Sequence, residues 1–171
     1  MSNQLIHNDH FSKSEKFPII LLLDNVTSPA NIGSIFRLAD AFNIQKIIIC
    51  GKNILLNSPR TLKTARSTIE KVDFEIFENA KEAINTFSDS KEIATFALEI
   101  TNDSIAIENV DFSKTKKMVL IVGNENFGID KDLLEWSDQK VHINMFGINS
   151  SMNVAQATGI ALFEITKSVS P

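Results

Sequence analysis

The chain has 171 residues, 43% of them hydrophobic and 22% charged, with a formal net charge of -4. This length suits one domain with its own core; the hydrophobic fraction excludes wholesale disorder, and six glycines with four prolines exclude a collagenous or low-complexity chain. A single cysteine, Cys50, excludes an internal disulfide framework and a cysteine-rich zinc site and suits a reducing compartment, while the acidic balance argues at first sight against a nucleic-acid partner.

Residues 1–16 are polar, hold two of the three histidines, and read as a loose arm or short leading helix before a single domain over 17–171. The apolar run from Phe17 to Leu23 is too short to cross a bilayer. It contains Pro18 and ends at Asp24 without a small-residue cleavage pattern, so the chain reads as soluble and cytoplasmic. Within it, Ile19 to Leu23 is continuously apolar, as in a strand buried on both faces. After the turn signal Thr27-Ser28-Pro29, Ile32, Ile35, Phe36, Ala39 and Phe42 recur at helical spacing. Ile47 to Cys50 reads as a second strand, stopped by Gly51. Ser58-Pro59 supplies an N-cap and a first-turn proline for a short helix to about Ala65. Phe74 to Phe77 predicts a third, more exposed strand, Asn79 caps a helix to about Ser88, and Ile93 to Leu98 predicts a fourth strand. Val119 to Val122 is a fifth, closed by Gly123. A short helix over Asp130 to Trp136 precedes a sixth strand, Val141 to Ile143. The last helix starts near Ser151, with Val154, Ala157, Thr158, Ala161, Leu162 and Ile165 along one face.

This alternation predicts an α/β fold, a mostly parallel sheet with helices on both faces, and places ligands beyond the carboxyl ends of the strands. The usual nucleotide signatures are missing. The segment from Asn25 to Gly33 carries one glycine instead of G-x-G-x-x-G, and no G-x-x-x-x-G-K-[ST] occurs. Three other clusters stand at strand ends: Asn31-Ile32-Gly33 with Arg37, Gly123-Asn124-Glu125-Asn126-Phe127-Gly128, and Ile143-Asn144-Met145-Phe146-Gly147 followed by Ser151-Met152-Asn153-Val154-Ala155.

These clusters resemble the three motifs of the SpoU (TrmH) family of RNA ribose 2'-O-methyltransferases, in the SPOUT superfamily. They match as N-x-G-x-x-x-R, G-x-E-x-x-G and I-x-M-x-G followed by S-[LM]-N-V-[AS], in order, across roughly Ile19 to Lys167. Asn144 stands where many members carry proline, a change that loosens the loop but removes no reactive group. The extra N-terminal RNA-binding domain of many ribosomal-RNA-modifying members has no counterpart in this sequence.

The resemblance implies a Rossmann-like domain with a C-terminal trefoil knot, a homodimer whose RNA sites are composed from both subunits, and S-adenosylmethionine as methyl donor. It assigns the donor to Ala97, Leu98, Glu99, Gly123, Glu125, Ile143, Met145, Ser151 and Met152. Gly123 fits such a site because a backbone without Cβ lets a ligand approach. The catalytic set it implies is Arg37, Asn31, Glu125, Ser151 and Asn153. Arg37 holds a phosphate and polarises the ribose hydroxyl, since a guanidinium is a poor base; a salt bridge with Asp40 is the competing reading. Asn31 orients the hydroxyl or Arg37, or caps its helix. Glu125 braces its loop or pairs with a cation. Ser151 and Asn153 bond donor or substrate, and Ser151 also serves as an N-cap. Cys50 reads as a strand-end filler and His142 as structural, and no metal constellation is visible.

Arg37, Arg60, Lys63 and Arg66 are the candidate RNA contacts, the last three forming a possible phosphate track or a merely solvated face. The resemblance implies a transfer or ribosomal RNA as substrate. The rival readings are a non-catalytic RNA-binding relative, against which the joint presence of Asn31, Arg37, Glu125, Ser151 and Asn153 argues, and an unrelated Rossmann-like small-molecule enzyme, against which the missing glycine fingerprint argues. Residues 72–112 hold ten acids and two lysines, a balance of -8, and the remaining eleven acids and fifteen basic residues carry +4. Global charge therefore does not exclude RNA, and the segment from Val72 to Phe112 is expected to turn largely away from it.

Overall fold

A computed structural model describes residues 15–87, 92–149 and 151–171. In chain order the elements are β1 (Phe17–Asp24), α1 (Pro29–Ala41), β2 (Ile44–Cys50), α2 (Pro59–Ala65), β3 (Phe74–Phe77), α3 (Ala80–Asn85), β4 (Ala94–Leu98), β5 (Ile105–Ala106), β6 (Met118–Val122), α4 (Lys131–Trp136), β7 (Gln139–His142) and α5 (Val154–Thr166). Single 3-10 turns occupy Thr68–Glu70 and Ile107–Asn109. The strands form one seven-stranded sheet of order β3-β2-β1-β6-β4-β7-β5, parallel at every pairing.

Why β1 shows no apolar-polar alternation is plain from its two neighbours above and below the sheet. Ile19, Leu21 and Leu23 pack with Ile32, Ile35 and Phe36 of α1, Ala65 of α2 and Leu162 and Ile165 of α5. Ile20 and Leu22 face the opposite layer, with Ala83 of α3 and Leu133 of α4. Both faces are buried, so every position from Ile19 to Leu23 is apolar. The registers make the strands end level. Leu23 pairs with Ile49 and Val122, and Leu98 pairs with Val141. The residues that follow, among them Asn25, Gly51, Glu99, Gly123 and Ile143, therefore leave the sheet along one edge, where open α/β sheets bind ligands.

Gly33 sits where α2 lies directly on α1. A Cβ there would come within 3.0 Å of Thr61 O, Thr64 Oγ1 and Ala65 N. Two of those atoms are backbone and cannot swing away, so this motif glycine is a packing requirement. Ser58 caps α2 as expected, its Oγ accepting from Thr61 N at 3.1 Å, and Asn79 caps α3 by accepting from Glu82 N at 3.0 Å.

Several expectations change. The sheet has a seventh strand, β5, of two residues. Leu98 and Ile105 both stand opposite Val141, so the connection over residues 99–104 arches across β7. Helix α3 ends at Asn85, and Ser88 lies outside the described residues. The last helix begins at Val154, and Asn153, not Ser151, is its N-cap. Of the expected arm at 1–16, residues 1–14 lie outside the described residues; Lys16 is tied down by Asp73 at 2.6 Å. No helix among the described residues is long and apolar enough to cross a membrane.

Candidate active site

The turn after β1 anchors the second motif. Asp24 is fully buried; its Oδ2 accepts Asp130 N at 2.7 Å and its Oδ1 accepts Asn25 Nδ2 at 2.8 Å. Burial pushes this carboxyl above its ordinary value, outweighing the two hydrogen bonds that favour the charged form. Asn25 takes a left-handed backbone at φ 50, and its carbonyl accepts Asn124 Nδ2 at 2.7 Å. Asn124 in turn organises its own loop, accepting Asn126 N at 2.8 Å and Phe127 N at 3.1 Å, while Asn124 and Gly128 exchange backbone bonds of 3.0 Å. The loop closes so tightly that a Cβ on Gly123 would lie 2.5 Å from Gly128 O and Ile129 N. The loop's own return stroke therefore requires this glycine, correcting the expectation that it clears space for a ligand.

Glu125, held on that loop, reaches across to the start of α1. Its Oε1 accepts Asn31 Nδ2 at 2.8 Å and Ser28 N at 3.1 Å, and its Oε2 accepts Thr27 N at 3.3 Å and Thr27 Oγ1 at 3.4 Å. Ser28 makes no side-chain cap of its own, so Glu125 caps α1 from a distant part of the sequence. Asn31 Oδ1 then accepts Asn153 Nδ2 at 2.9 Å, and Asn153 Oδ1 accepts Ala155 N at 2.9 Å and Gln156 N at 3.3 Å. The polarity of this chain is fixed by its ends. A carboxylate only accepts and helix N–H groups only donate, so both amides have one permitted orientation. Burial alone would raise the Glu125 carboxyl, but the bonds from Asn31 and from backbone N–H groups of Glu125 itself, Thr27 and Ser28 prevail and hold it below the ordinary carboxylate value. The N-cap of α1 is Ser28, not Asn31, whose side chain bonds Glu125 instead.

Beside this chain lies a cleft of about 390 Å³. Its walls are the ends of β4, β6 and β7 and the start of α5, and they include Leu98, Glu99, Gly123, Glu125, Ile143, Met145, Ser151 and Met152. The size lies within the usual range for small-ligand sites, as does the mixture of apolar walls with a few polar groups. Of the nine residues expected to hold the methyl donor, Ala97 alone is absent from the cleft: it is buried inside β4 and packs toward α3 and α4. His142, Asn124, Asn126, Val154 and Ala157 also line it and were not anticipated there.

Comparison with known proteins agrees with this geometry. Residues 18–163 match the SpoU rRNA Methylase family. The chain belongs to that family. It is 32% identical to a tRNA (guanosine(18)-2'-O)-methyltransferase of Aquifex aeolicus over 85% of this chain and 67% of the relative, and 31% identical to the 23S rRNA (guanosine-2'-O-)-methyltransferase RlmB of Haemophilus ducreyi over 88% and 60%. An AdoMet-bound rRNA methyltransferase structure from Sinorhizobium meliloti superposes with a TM-score of 0.80 at 27% identity, over 93% of this chain and 59% of that one. The chain thus spans about three fifths to two thirds of the length of these relatives.

The remaining SpoU motif residues divide between the cleft and the outer surface. Arg37 is exposed on α1 and, among the described residues, makes no hydrogen bond or ion pair with Asp40 or any other. It lines a second, open concavity of about 680 Å³ with Asn31, Ser34, Leu38, Asn153 and Gln156. Asn153 borders both hollows, so the Asn31–Asn153 pair forms the wall between Arg37 and the cleft. Arg60 and Lys63 are exposed on α2 and Arg66 follows it in a left-handed conformation, φ 49; among the described residues none of the three has an acidic partner, and none lines the cleft. Ser151 lines the cleft and is exposed there.

Asn144 donates to Glu108 Oε1 at 2.6 Å, so the loop expected to loosen without proline is tied to the 3-10 turn at Ile107–Asn109. The acidic segment also reaches the site: Leu98, Glu99 and Ile100 line the cleft, and Glu108 tethers the Asn144 loop. His142 Nδ1 bonds Ser104 Oγ at 3.0 Å, linking β7 to the arch above it. Cys50 is fully buried, and burial, followed by the nearby charges of Asp24 and Glu82, pushes its thiol up to about 12. Sequence reading missed Asp24 and Asn25; the signal available was a polar pair at the carboxyl end of the central apolar strand.

Proposed function

We propose that this chain transfers a methyl group from S-adenosylmethionine to a ribose 2'-hydroxyl of a transfer or ribosomal RNA, acting in the cytoplasm as a homodimer. The observation that carries the reading is the hydrogen-bonded series Asn153–Asn31–Glu125. It joins one residue from each of the three sequence motifs beside a cleft of about 390 Å³.

The cleft residues suit the methyl donor. Leu98, Ile143, Met145 and Met152 offer apolar surface for an adenine, Ser151 and Asn124 offer hydrogen bonds, and the carboxylates suit a ligand bearing positive charge. When bound, the donor supplies an electrophilic methyl group on a sulfonium. The protein's own residues then have to align the ribose and deal with its proton. A guanidinium is a poor base, so Arg37 serves as a clamp on the adjoining phosphate and polarises the hydroxyl; that phosphate takes the proton. Asn31 and Asn153, fixed in orientation by Glu125 and the α5 N–H groups, form a rigid wall against which the sugar is positioned. Arg60, Lys63 and Arg66 continue the positive surface from α1 onto α2 and hold further phosphates.

The C-terminal segment is threaded through a loop of earlier segments, as in the SPOUT fold. The exposed apolar residues Ile160 and Phe163 of α5 are the surface assigned to the second copy. Three measurements test the reading. S-adenosylmethionine is expected to raise Tm through linkage, and light scattering is expected to give twice the chain mass. Arg37→Ala is expected to leave Tm and donor affinity unchanged while methyl incorporation into bulk transfer and ribosomal RNA falls by a factor of about 100 or more. Full activity of Arg37→Ala removes that residue from the mechanism, and the absence of any donor-induced shift removes the methyltransferase reading.

A further inference from the structure

The cleft wall carries fixed charge of one sign. Glu99 and Glu125 line it, and among the described residues no lysine or arginine does. The two carboxylates differ in how far they are already committed. Glu125 accepts from four donors of the α1 start, described above. Glu99, half-buried after β4, accepts two backbone N–H groups, Ile100 N on Oε1 at 2.9 Å and Ile129 N on Oε2 at 3.3 Å. A carboxylate offers about four acceptor positions, and Glu99 has no ion pair among the described residues. Half its accepting capacity and its full charge therefore remain for whatever fills the cleft. The placement is specific, because Gly128, at φ 71, leaves the room: a Cβ there would lie 2.5 Å from Glu99 Oε2.

We propose that Glu99 is a specificity residue that makes the cleft select the cationic methyl donor over its neutral product. This rests on the reading of the cleft as the donor site. S-adenosylmethionine carries a sulfonium, an ammonium and a carboxylate, a net charge of about +1, whereas S-adenosylhomocysteine keeps only the last two. Adenine, ribose and amino-acid groups are common to both ligands, so contacts to them cannot discriminate. A carboxylate held in a partly desolvated wall can, because its attraction for the ligand includes the sulfonium charge in one case and not in the other. Methyl transfer removes that charge, so the same residue that retains the donor releases its grip on the product.

Isothermal titration of the full chain with each ligand tests this. Wild type is expected to bind S-adenosylmethionine more tightly than S-adenosylhomocysteine. Glu99→Gln, which preserves shape, is expected to lower that preference about five-fold, almost entirely by weakening the donor. Raising salt from about 50 to about 500 mM is expected to shrink the wild-type preference and leave the variant's alone. Equal losses for both ligands would assign Glu99 to a shared group such as the ribose and overturn charge selection, as would an unchanged ratio. Should the variant not fold, a salt-independent wild-type ratio overturns the proposal by itself. Binding of neither ligand to wild type defeats the donor-site reading, and this inference with it.

Discussion

Replacing Glu125 by glutamine keeps the side chain's shape and converts one of its acceptor oxygens into a donor. Oε1 holds Asn31 Nδ2 and Ser28 N at 2.8 and 3.1 Å, and Oε2 holds Thr27 N and Thr27 Oγ1 at 3.3 and 3.4 Å. The least costly arrangement turns the new amide NH₂ toward Thr27, where the hydroxyl can rotate to accept from it and a single backbone N–H loses its partner. A neutral hydrogen bond is worth about 1 kcal/mol, and the charge assistance lost at Asn31 and Ser28 is worth about as much again. Glu125 is partly solvated, so screening reduces the sum to about 1 kcal/mol. For a domain of this size that lowers Tm by about 2–4 °C. The assay is thermal unfolding of both proteins over a range of pH. Because the folded-state pKa of Glu125 lies below its ordinary value of 4.5, its contribution is complete above pH 4.5 and disappears as pH falls through the depressed value. The gap between wild type and Glu125→Gln is therefore expected at about pH 7 and expected to close toward about pH 3. Equal Tm values at about pH 7, or a gap of constant size at both ends, would refute the account of Glu125 as a charged cap and brace.

Asp24 has the opposite sign. Its folded-state pKa is raised above 3.8, so wild-type stability falls as pH rises from 3.8 through the raised value. Asp24→Asn cannot show this fall, and denaturant unfolding should find wild type's advantage over the variant larger below pH 3.8 than at about pH 7; an advantage that grows with pH contradicts the burial argument. Gly33→Ala forces α1 and α2 apart against backbone atoms, at about 1–3 kcal/mol, and a Tm lowered by several degrees checks it. Arg60→Glu combined with Lys63→Glu is expected to weaken RNA binding and flatten its salt dependence with donor affinity unchanged, and RNA binding equal to wild type would place the RNA elsewhere.

The parts of this fold that sequence reading captured are those whose cause is local. An uninterrupted apolar run can be a doubly buried strand wherever it sits, which is why β1, β2 and β6 were legible. Strand β5 has two residues and exists because β7 offers it a pairing edge, so nothing within Ile105–Ala106 announces it. The start of α5 shows the same limit. Ser151 and Asn153 are both good cap residues, and the choice falls on Asn153, whose amide is also held by Asn31 from far away in the chain. Glycines mislead in a related way. Gly33 and Gly123 each signal close approach, but sequence does not say of what; in both cases the approaching atoms belong to the chain itself. Asn31 and Glu125 could be assigned to a site from their motifs, yet their mutual bond required the fold.

The formal charge of -4 also acquires a spatial meaning. Glu99 and Glu125 line the cleft, while Arg37, Arg60, Lys63 and Arg66 stand outside it on α1, α2 and the turn beyond. Under the proposed function these two fields do different work on one substrate. A polyanion is drawn to the α1 and α2 surface and repelled from the cleft wall, so phosphates settle outside while the cleft keeps the cationic donor. The boundary between the fields is the Asn31–Asn153 pair, two uncharged amides with a single permitted orientation. A neutral ribose hydroxyl is the group on RNA that can approach such a boundary without crossing into the field that repels its phosphates. Segregated charge with a neutral amide partition thus favours reaction at the sugar over any step that would bring phosphate itself into the cleft.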